Sequence, residues 1–307
     1  MSALRRALAD YLSVRRALGS RLDRAEKLLR QFVNYLEERQ ASTVTIDDAL
    51  AWATLPVGAS PWWWAMRLSP VRGFATYLRT IDGIAETPPA GIIAHRRHRA
   101  TPYLYSEVDI EAMITAARRL PNPVSRSTYS GLVSVLAVTG MRLGEAVALN
   151  VQDFDPDDGV LLVREGKFGK SRLLPLHHTT VAGLRHYLRV RVDLRVAVSD
   201  ALFISTVGTR LDHSCVHKTF KKITHAAGLT ARSAECRPRI HDLRHSFAVA
   251  SLLDWYRSGD NVAAMLPRLS TYLGHADPKH TYWYLSAAPE LLALAADRLQ
   301  AHLAAQP

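Results

Sequence analysis

Only two cysteines, Cys215 and Cys236, occur among the 307 residues, and they form no CxxC pair. A disulfide framework is therefore excluded, which fits a reducing, cytoplasmic setting. No apolar run approaches the ~18 to 20 residues needed to span a bilayer. The start of the chain, Arg5-Arg6 followed by Ala7-Leu8-Ala9-Asp10-Tyr11-Leu12-Ser13, lacks the apolar core and small-residue cleavage site of a signal peptide. Export and membrane insertion are thus not expected. Acidic side chains are in short supply: 28 Asp and Glu face 39 Lys and Arg, a formal charge of +11 with a pI near 9.9. Such an excess favours a polyanionic partner through counterion release and electrostatic steering. Repeats and low-complexity tracts are missing too. What remains is a soluble globular composition, 48% hydrophobic, in a chain long enough for two domains with separate cores.

Taken in order, the chain first reads as helix from Ala3 to Arg39, with Leu12, Leu18, Leu22, Leu28, Leu29, Phe32, Val33 and Leu36 as its apolar positions. Ser42 to Thr45 offers a break, and Thr45-Ile46-Asp47-Asp48 looks like a helix start ahead of Ala49 to Trp52. Pro56 and Gly58 break the chain again before a helix from Trp62 through Leu78. Its Trp62-Trp63-Trp64 cluster is expected to fill the core of a small helical bundle. Pro88-Pro89, Gly91 and the run His95-Arg96-Arg97-His98-Arg99 then read as an interdomain linker over residues 88–103. A basic linker is well sited to cross a phosphate backbone, which makes Arg96, Arg97 and Arg99 candidate DNA contacts. The expected organisation is a helical domain at 1–87, this linker, and a second domain at 104–307.

In the second region Ser106 is expected to cap a helix from Glu107 to Arg119 that Pro121 and Pro123 end. An apolar helix from Thr128 to Val138 leads into Thr139-Gly140-Met141-Arg142-Leu143-Gly144-Glu145, where Glu145 stands one turn beyond Arg142 and can pair with it. The one convincing β pattern follows. Val160 to Val163 and Arg172 to Leu176 flank Glu165-Gly166-Lys167-Phe168-Gly169-Lys170, a hairpin whose flexible tip can carry an ammonium into a site and out again. Helices are expected at Thr179 to Val196 and His213 to His225, with an extended piece at Ala201 to Ser205 between them. The fold class is therefore mainly α with a small antiparallel β-sheet. A last helix, Glu290 to Leu303, would carry Leu291, Ala295, Leu299 and Leu303 on one stripe.

Chemistry concentrates between Arg239 and Leu285. His241-Asp242-Leu243-Arg244-His245, Leu273-Gly274-His275 and Tyr282-Trp283-Tyr284 pack imidazoles, a guanidinium and phenols into one segment of a basic chain. That combination suits nucleophilic attack on a phosphodiester. A phenol with a pKa near ~10 is a poor nucleophile at neutral pH, but fixed cations lower the cost of its anion, and forked guanidiniums can grip the oxygens on which charge accumulates. On a helix Tyr282 and Tyr284 would point about 200° apart at ~100° per residue, so both cannot face one pocket. His241 and His245 have the spacing of a metal-binding pair, yet the glutamate of the zinc-protease motif and an obvious third ligand are missing.

In order, the strings Thr139-Gly140-Met141-Arg142-Leu143-Gly144-Glu145, Gly166-Lys167 ahead of Arg172-Leu173-Leu174-Pro175-Leu176, His241-Asp242-Leu243-Arg244-His245, Leu273-Gly274-His275 and Tyr284 resemble the tyrosine recombinase family of phage integrases and Xer-type enzymes. The resemblance extends to the whole chain, since that family also has a helical, SAM-like core-binding domain that clamps DNA and a basic linker. It implies a site-specific recombinase that cleaves and rejoins DNA through a 3′-phosphotyrosine, with no cofactor, metal or ATP. It assigns Tyr284 as nucleophile, Arg142, Arg244 and His275 to the phosphate oxygens, and Lys167 to the leaving oxygen. His241 would take the tyrosine proton or assist at the phosphate, and Glu145 would orient Arg142. Lys170, on the same loop as Lys167, is an alternative acid or a DNA contact. The implied partners are double-stranded DNA with specific recombination sites and further protomers, docked through the C-terminal helix into a homo- or hetero-tetramer. Thr281-Tyr282-Trp283-Tyr284-Leu285 departs from the commoner Xer wording, which points to a mobile-element recombinase. A catalytically silent DNA-binding accessory protein and a type IB topoisomerase are the alternatives.

Overall fold

The computed structural model describes residues 2–20, 22–95, 100–164, 171–196, 198–275, 277, 279–286, 290–294, 296 and 300. The chain divides into two compact units, Met1–Arg99 and Ala100–Pro307. The mainly helical fold with a small antiparallel sheet read from the sequence is what it has. Among the described residues no helix is long and apolar enough to cross a membrane.

The first unit contains α1 (Ala3–Ala17), α2 (Asp23–Glu38), α3 (Ile46–Thr54) and α4 (Pro61–Asp82). The helix expected from Ala3 to Arg39 is two helices, because Gly19 and Leu22 take left-handed backbone angles, φ +82° and +42°, between them. Side chains of Ser2, Thr45 and Ser60 accept hydrogen bonds from the backbone N–H groups of Arg5, Asp48 and Trp63 and so cap α1, α3 and α4. Leu29, Phe32, Leu36, Trp52, Leu68 and Phe74 lie at the centre of the core. Here the reading of the tryptophan cluster is corrected: Trp62 is 40% exposed, and Trp63 and Trp64 are half-buried. Three consecutive helical residues spread over ~200° of arc and cannot share one buried face. The core tryptophan is Trp52, whose ring centroid lies 5.1 Å from that of Phe32. The expected linker begins on this unit, where Arg72 donates to the carbonyls of Pro88 and Pro89 and Ile93 packs against the core.

The second unit opens with a strap. Tyr105 N–H donates to Ser246 Oγ (2.7 Å) and Tyr105 OH to the Arg239 carbonyl (3.0 Å), while Arg239 reaches the Thr101 carbonyl. Then come α5 (Glu107–Ala117), α6 (Pro123–Thr139) and α7 (Leu143–Ala148). α6 starts earlier than its periodicity suggested, because Asn122 caps it and Pro123 occupies the first turn, where the missing N–H costs nothing. Strands β1 (Phe154–Asp155), β2 (Val160–Val163) and β3 (Arg172–Pro175) form an antiparallel sheet, with Val163 opposite Arg172 and Leu161 opposite Leu174. Helices α8 (His178–Asp193), α9 (His213–Ala226), α10 (Asp242–Arg257), α11 (Val262–Leu273) and α12 (Lys279–Tyr282) complete it. The extended piece near Ala201 to Ser205 makes isolated bridges, Asn150 with Ala201 and Ile204 with Arg210. Among the described residues, a small buried cluster of Val124, Ala201 and Ile204 sits beside two larger ones. One spans α5 to α9 and the sheet; the other joins α10 and α11 to Tyr284 and Leu291.

Candidate active site

The end of α6 builds the first wall. Gly140 closes the helix with φ +58°, and a side chain there would strike Phe247 of α10, whose ring lies 2.4 Å from where a Cβ would stand. Both the handedness and the close approach therefore demand glycine. Two residues on, Arg142 caps α7. Its N–H donates to Glu145 Oε2 (2.9 Å), and its Nη1 donates to Oε1 (2.8 Å). The helix thus holds the arginine by backbone and side chain together, as the pairing of Arg142 with Glu145 anticipated. Glu145 is 8% exposed and receives a second guanidinium, from Arg172 at the start of β3. Burial opposes its ionisation, but the bonds from Arg172 and Arg142 outweigh it and keep the carboxyl below its ordinary range.

The second wall is α10 against the end of α11. Arg239 grips the fully buried Asp242 through both Nε and Nη2 (3.0 and 2.8 Å) and fixes the first turn of α10, where His241 is exposed. One turn in, Arg244 is only 2% exposed. Its Nη1 donates to the Gly140 carbonyl and its Nη2 to the Leu273 carbonyl, both at 2.8 Å. Desolvation, and then the charge of Arg142, push its pKa down to about 10, while Tyr284 and Glu145 act the other way. At neutral pH it stays charged.

Gly274 ends α11 with φ +68°, and the N–H of His275 turns back to the Ser270 carbonyl, the closing bond of a helix that stops on a left-handed glycine. The three carbonyls at this end each receive one arginine: Tyr272 from Arg172 (2.8 Å), Leu273 from Arg244 (2.8 Å) and Gly274 from Arg142 (3.0 Å). Cations suit the negative end of a helix. This one gathers three guanidiniums around one carboxylate, immediately before His275, leaving an excess of positive charge suited to a phosphate.

Tyr284 completes the cluster. It is 2% exposed and Tyr282 is 53% exposed, because α12 gives way to a tighter turn from Trp283 to Ser286 and only one of the two phenols can enter. The Tyr284 ring lies 6.1 Å from that of His275 in a stacked arrangement and 5.4 Å from that of His245 edge-on, and the phenol is close enough to Arg244 to favour its charged form. His275 Nδ1 pairs with Thr281 Oγ1 at 2.7 Å, which sets the rotation of the imidazole. His245, left without a role by sequence reasoning, stacks edge-on against His241 (4.8 Å) and Trp283 (5.1 Å) and joins the two ends of the segment. Among the described residues no group of three His, Cys, Asp or Glu could hold a metal ion.

Arg142, Glu145, Arg244, His275 and Tyr284 are thus brought together by contacts, and His241 adjoins them through His245. Lys167, Lys170, Arg96, Arg97 and Arg99 lie outside the described residues, as do Ala295, Leu299 and Leu303 of the last expected helix. Sequence reasoning missed Arg172, Thr281 and the Arg239–Asp242 pair. Arg172 had a signal: a charged residue opening an otherwise apolar strand.

Residues 104–290 match the family model described as the phage integrase family. The chain is 42% identical over 307 residues, 98% of each chain, to the "Putative integrase/recombinase y4rB" of Sinorhizobium fredii (strain NBRC 101917 / NGR234). It is 30% identical over 280 residues to the tyrosine recombinase XerC of Escherichia coli O139:H28, covering 89% of this chain and 88% of that one. Among solved structures it resembles the Tn1549 transposon integrase in complex with transposon right end DNA, with a TM-score of 0.62, 17% identity and coverage of 96% and 99%.

Proposed function

Because the chain belongs to the phage integrase family of tyrosine recombinases, we propose that it cleaves and rejoins double-stranded DNA at specific recombination sites through a 3′-phosphotyrosine on Tyr284. The observation that carries this reading is the buried Tyr284 ring beside that of His275, with Arg142 and Arg244 anchored on the helix end immediately before His275. The Tyr284 oxygen attacks phosphorus, the bond from phosphorus to the 5′-oxygen breaks, and the 5′-oxygen leaves with a proton from Lys167. A guanidinium carries five N–H donors. The backbone and carboxylate anchors of Arg142 and Arg244 use one on each terminal nitrogen, so hydrogens remain for the non-bridging oxygens. Donors fixed in advance are what phosphoryl transfer needs most. His275, rotated into place by Thr281, adds a further donor, and His241 takes the tyrosine proton or supports the phosphate. The covalent bond conserves the phosphodiester energy, so attack by another 5′-hydroxyl rejoins strands with neither ATP nor metal taking part.

The test uses a DNA duplex nicked close to the cleavage point, from which the short 5′-hydroxyl fragment diffuses away. The wild-type protein becomes covalently attached through Tyr284, and Tyr284→Phe binds the duplex but traps nothing. Trapping by Tyr284→Phe, or none by the wild type on its cognate site, would rule the reading out. The likeness to a transposon integrase supports a mobile-element setting. Assembly on DNA into a tetramer is the remaining part of the proposal, with the C-terminal segment docking on a neighbouring protomer. Leu291 is 1% exposed within the α10–α11 cluster, so the truncation is placed after residue 294 to keep it. That truncation retains single-site binding and loses synapsis in a gel-shift assay; unchanged recombination would refute the docking role.

A further inference from the structure

We propose that Arg172 is a positioning residue for the cleavage site, holding Glu145, and through it the Arg142 guanidinium, in register with the end of α11 that carries His275. The inference rests on the recombinase reading above and adds to it a residue that does not touch the phosphate. Three observations carry it. First, the contact is two-pronged: Nη1 reaches Glu145 Oε1 at 3.2 Å and Nη2 reaches Oε2 at 2.8 Å. This fork geometry fixes the plane of the carboxylate as well as its position. Second, the same guanidinium is pinned elsewhere. Its Nε donates to the Tyr272 carbonyl at 2.8 Å, and Nη1 lies 2.8 Å from where a Cβ on Gly274 would stand. Third, the pair is enclosed, with side-chain exposures of 14% for Arg172 and 7% for Glu145, unlike the surface pair of Arg30 with Glu26 at 65% and 19%.

The consequence follows from geometry. Glu145 bonds both the N–H and the Nη1 of Arg142, so a carboxylate free to rotate would let the Arg142 head swing. Arg172 removes that freedom and, as the first residue of β3, paired with Val163, it ties the stem of the hairpin to the same point. Lysine cannot substitute, since a single ammonium makes no fork and lacks the Nε donor.

The test measures the rate of covalent trapping on the nicked duplex for the wild type, Arg172→Met, Glu145→Gln and the double variant, with DNA affinity determined alongside. Arg172→Met is expected to slow trapping by about 10- to 100-fold, the range seen when groups behind a functional ligand are removed, with DNA affinity retained. In the Glu145→Gln background the same substitution adds little, because both act through one carboxylate. Trapping by Arg172→Met at the wild-type rate overturns the proposal, and so does a loss that multiplies in full in the double variant. If Arg172→Met fails to fold, Arg172→Lys, which keeps the charge on the strand, takes its place. A loss of at least about 10-fold is expected for it, and wild-type trapping by Arg172→Lys overturns the proposal. Absence of trapping by the wild type itself would count against the recombinase reading, and so is distinguishable from failure of this one.

Discussion

At the corner between α6 and α7, Arg142 keeps 25% of its side chain exposed and leans on the Glu145 carboxylate, whereas on α10 Arg244 is 2% exposed and is held by the carbonyls of Gly140 and Leu273. The two guanidiniums serve one pocket under opposite terms. A carboxylate partner makes Arg142 easy to position but neutralises part of its charge. Carbonyl dipoles orient Arg244 and leave its unit charge intact in a medium of low dielectric, where it would act more strongly on the phosphate proposed above. The cost is desolvation, visible in a pKa lowered to about 10. One arginine is thus coupled to the surface and its acid, the other to the core.

This difference can be broken by substitution. Arg244→Ala is expected to have the largest effect: loss of trapping by about 10²- to 10³-fold, plus about 2–6 kcal/mol of stability, because two buried carbonyls lose their donor at roughly 1–3 kcal/mol each. Arg142→Ala should slow trapping by a similar factor, about 10²- to 10³-fold, yet cost less stability, about 1–2 kcal/mol, since the half-buried Gly274 carbonyl can take water in its place and Glu145 keeps Arg172. Urea unfolding of the two variants checks this, and equal stability losses would erase the distinction. Glu145→Gln probes the acid side. The carboxyl's pKa in the folded chain lies below its ordinary value, so its contribution is present above the usual carboxylate range and is lost as pH falls through the folded pKa. Stability measured stepwise from neutral to acid should therefore decline less in Glu145→Gln than in the wild type; parallel curves would show that Glu145 is not held as its contacts indicate. Tyr282→Phe should do least, within about 0.5 kcal/mol and with trapping unchanged, because that phenol is exposed.

Much of this was legible in the chain. Ser106, Thr45 and the hairpin stems announced their elements through local rules that reach only a few residues. The pairing of Arg142 with Glu145 followed from their spacing on one turn, whereas the helix end at Gly274 emerged only from the structure. The errors share a cause. Trp62 to Trp64 were assigned to the core on residue type, but a helix buries by angle. Pro123 was taken as a terminator when it begins a helix, since a capped first turn tolerates proline. Arg172 was overlooked because its partners lie far along the chain, at Glu145 and Tyr272.

That distance marks the boundary. The order of the candidate residues, the charge of the chain and the fact that Tyr282 and Tyr284 cannot both face one pocket could all be derived from residue identity and short-range geometry. Which arginine would be buried, which carboxylate would be shared and why three guanidiniums meet at one helix end could not. The bonds from Arg142 to Gly274, Arg244 to Gly140 and Arg172 to Tyr272 span 132, 104 and 100 residues. Contacts of that range arise only when α6, α10, α11 and β3 pack together, and periodicity along the chain carries no record of it.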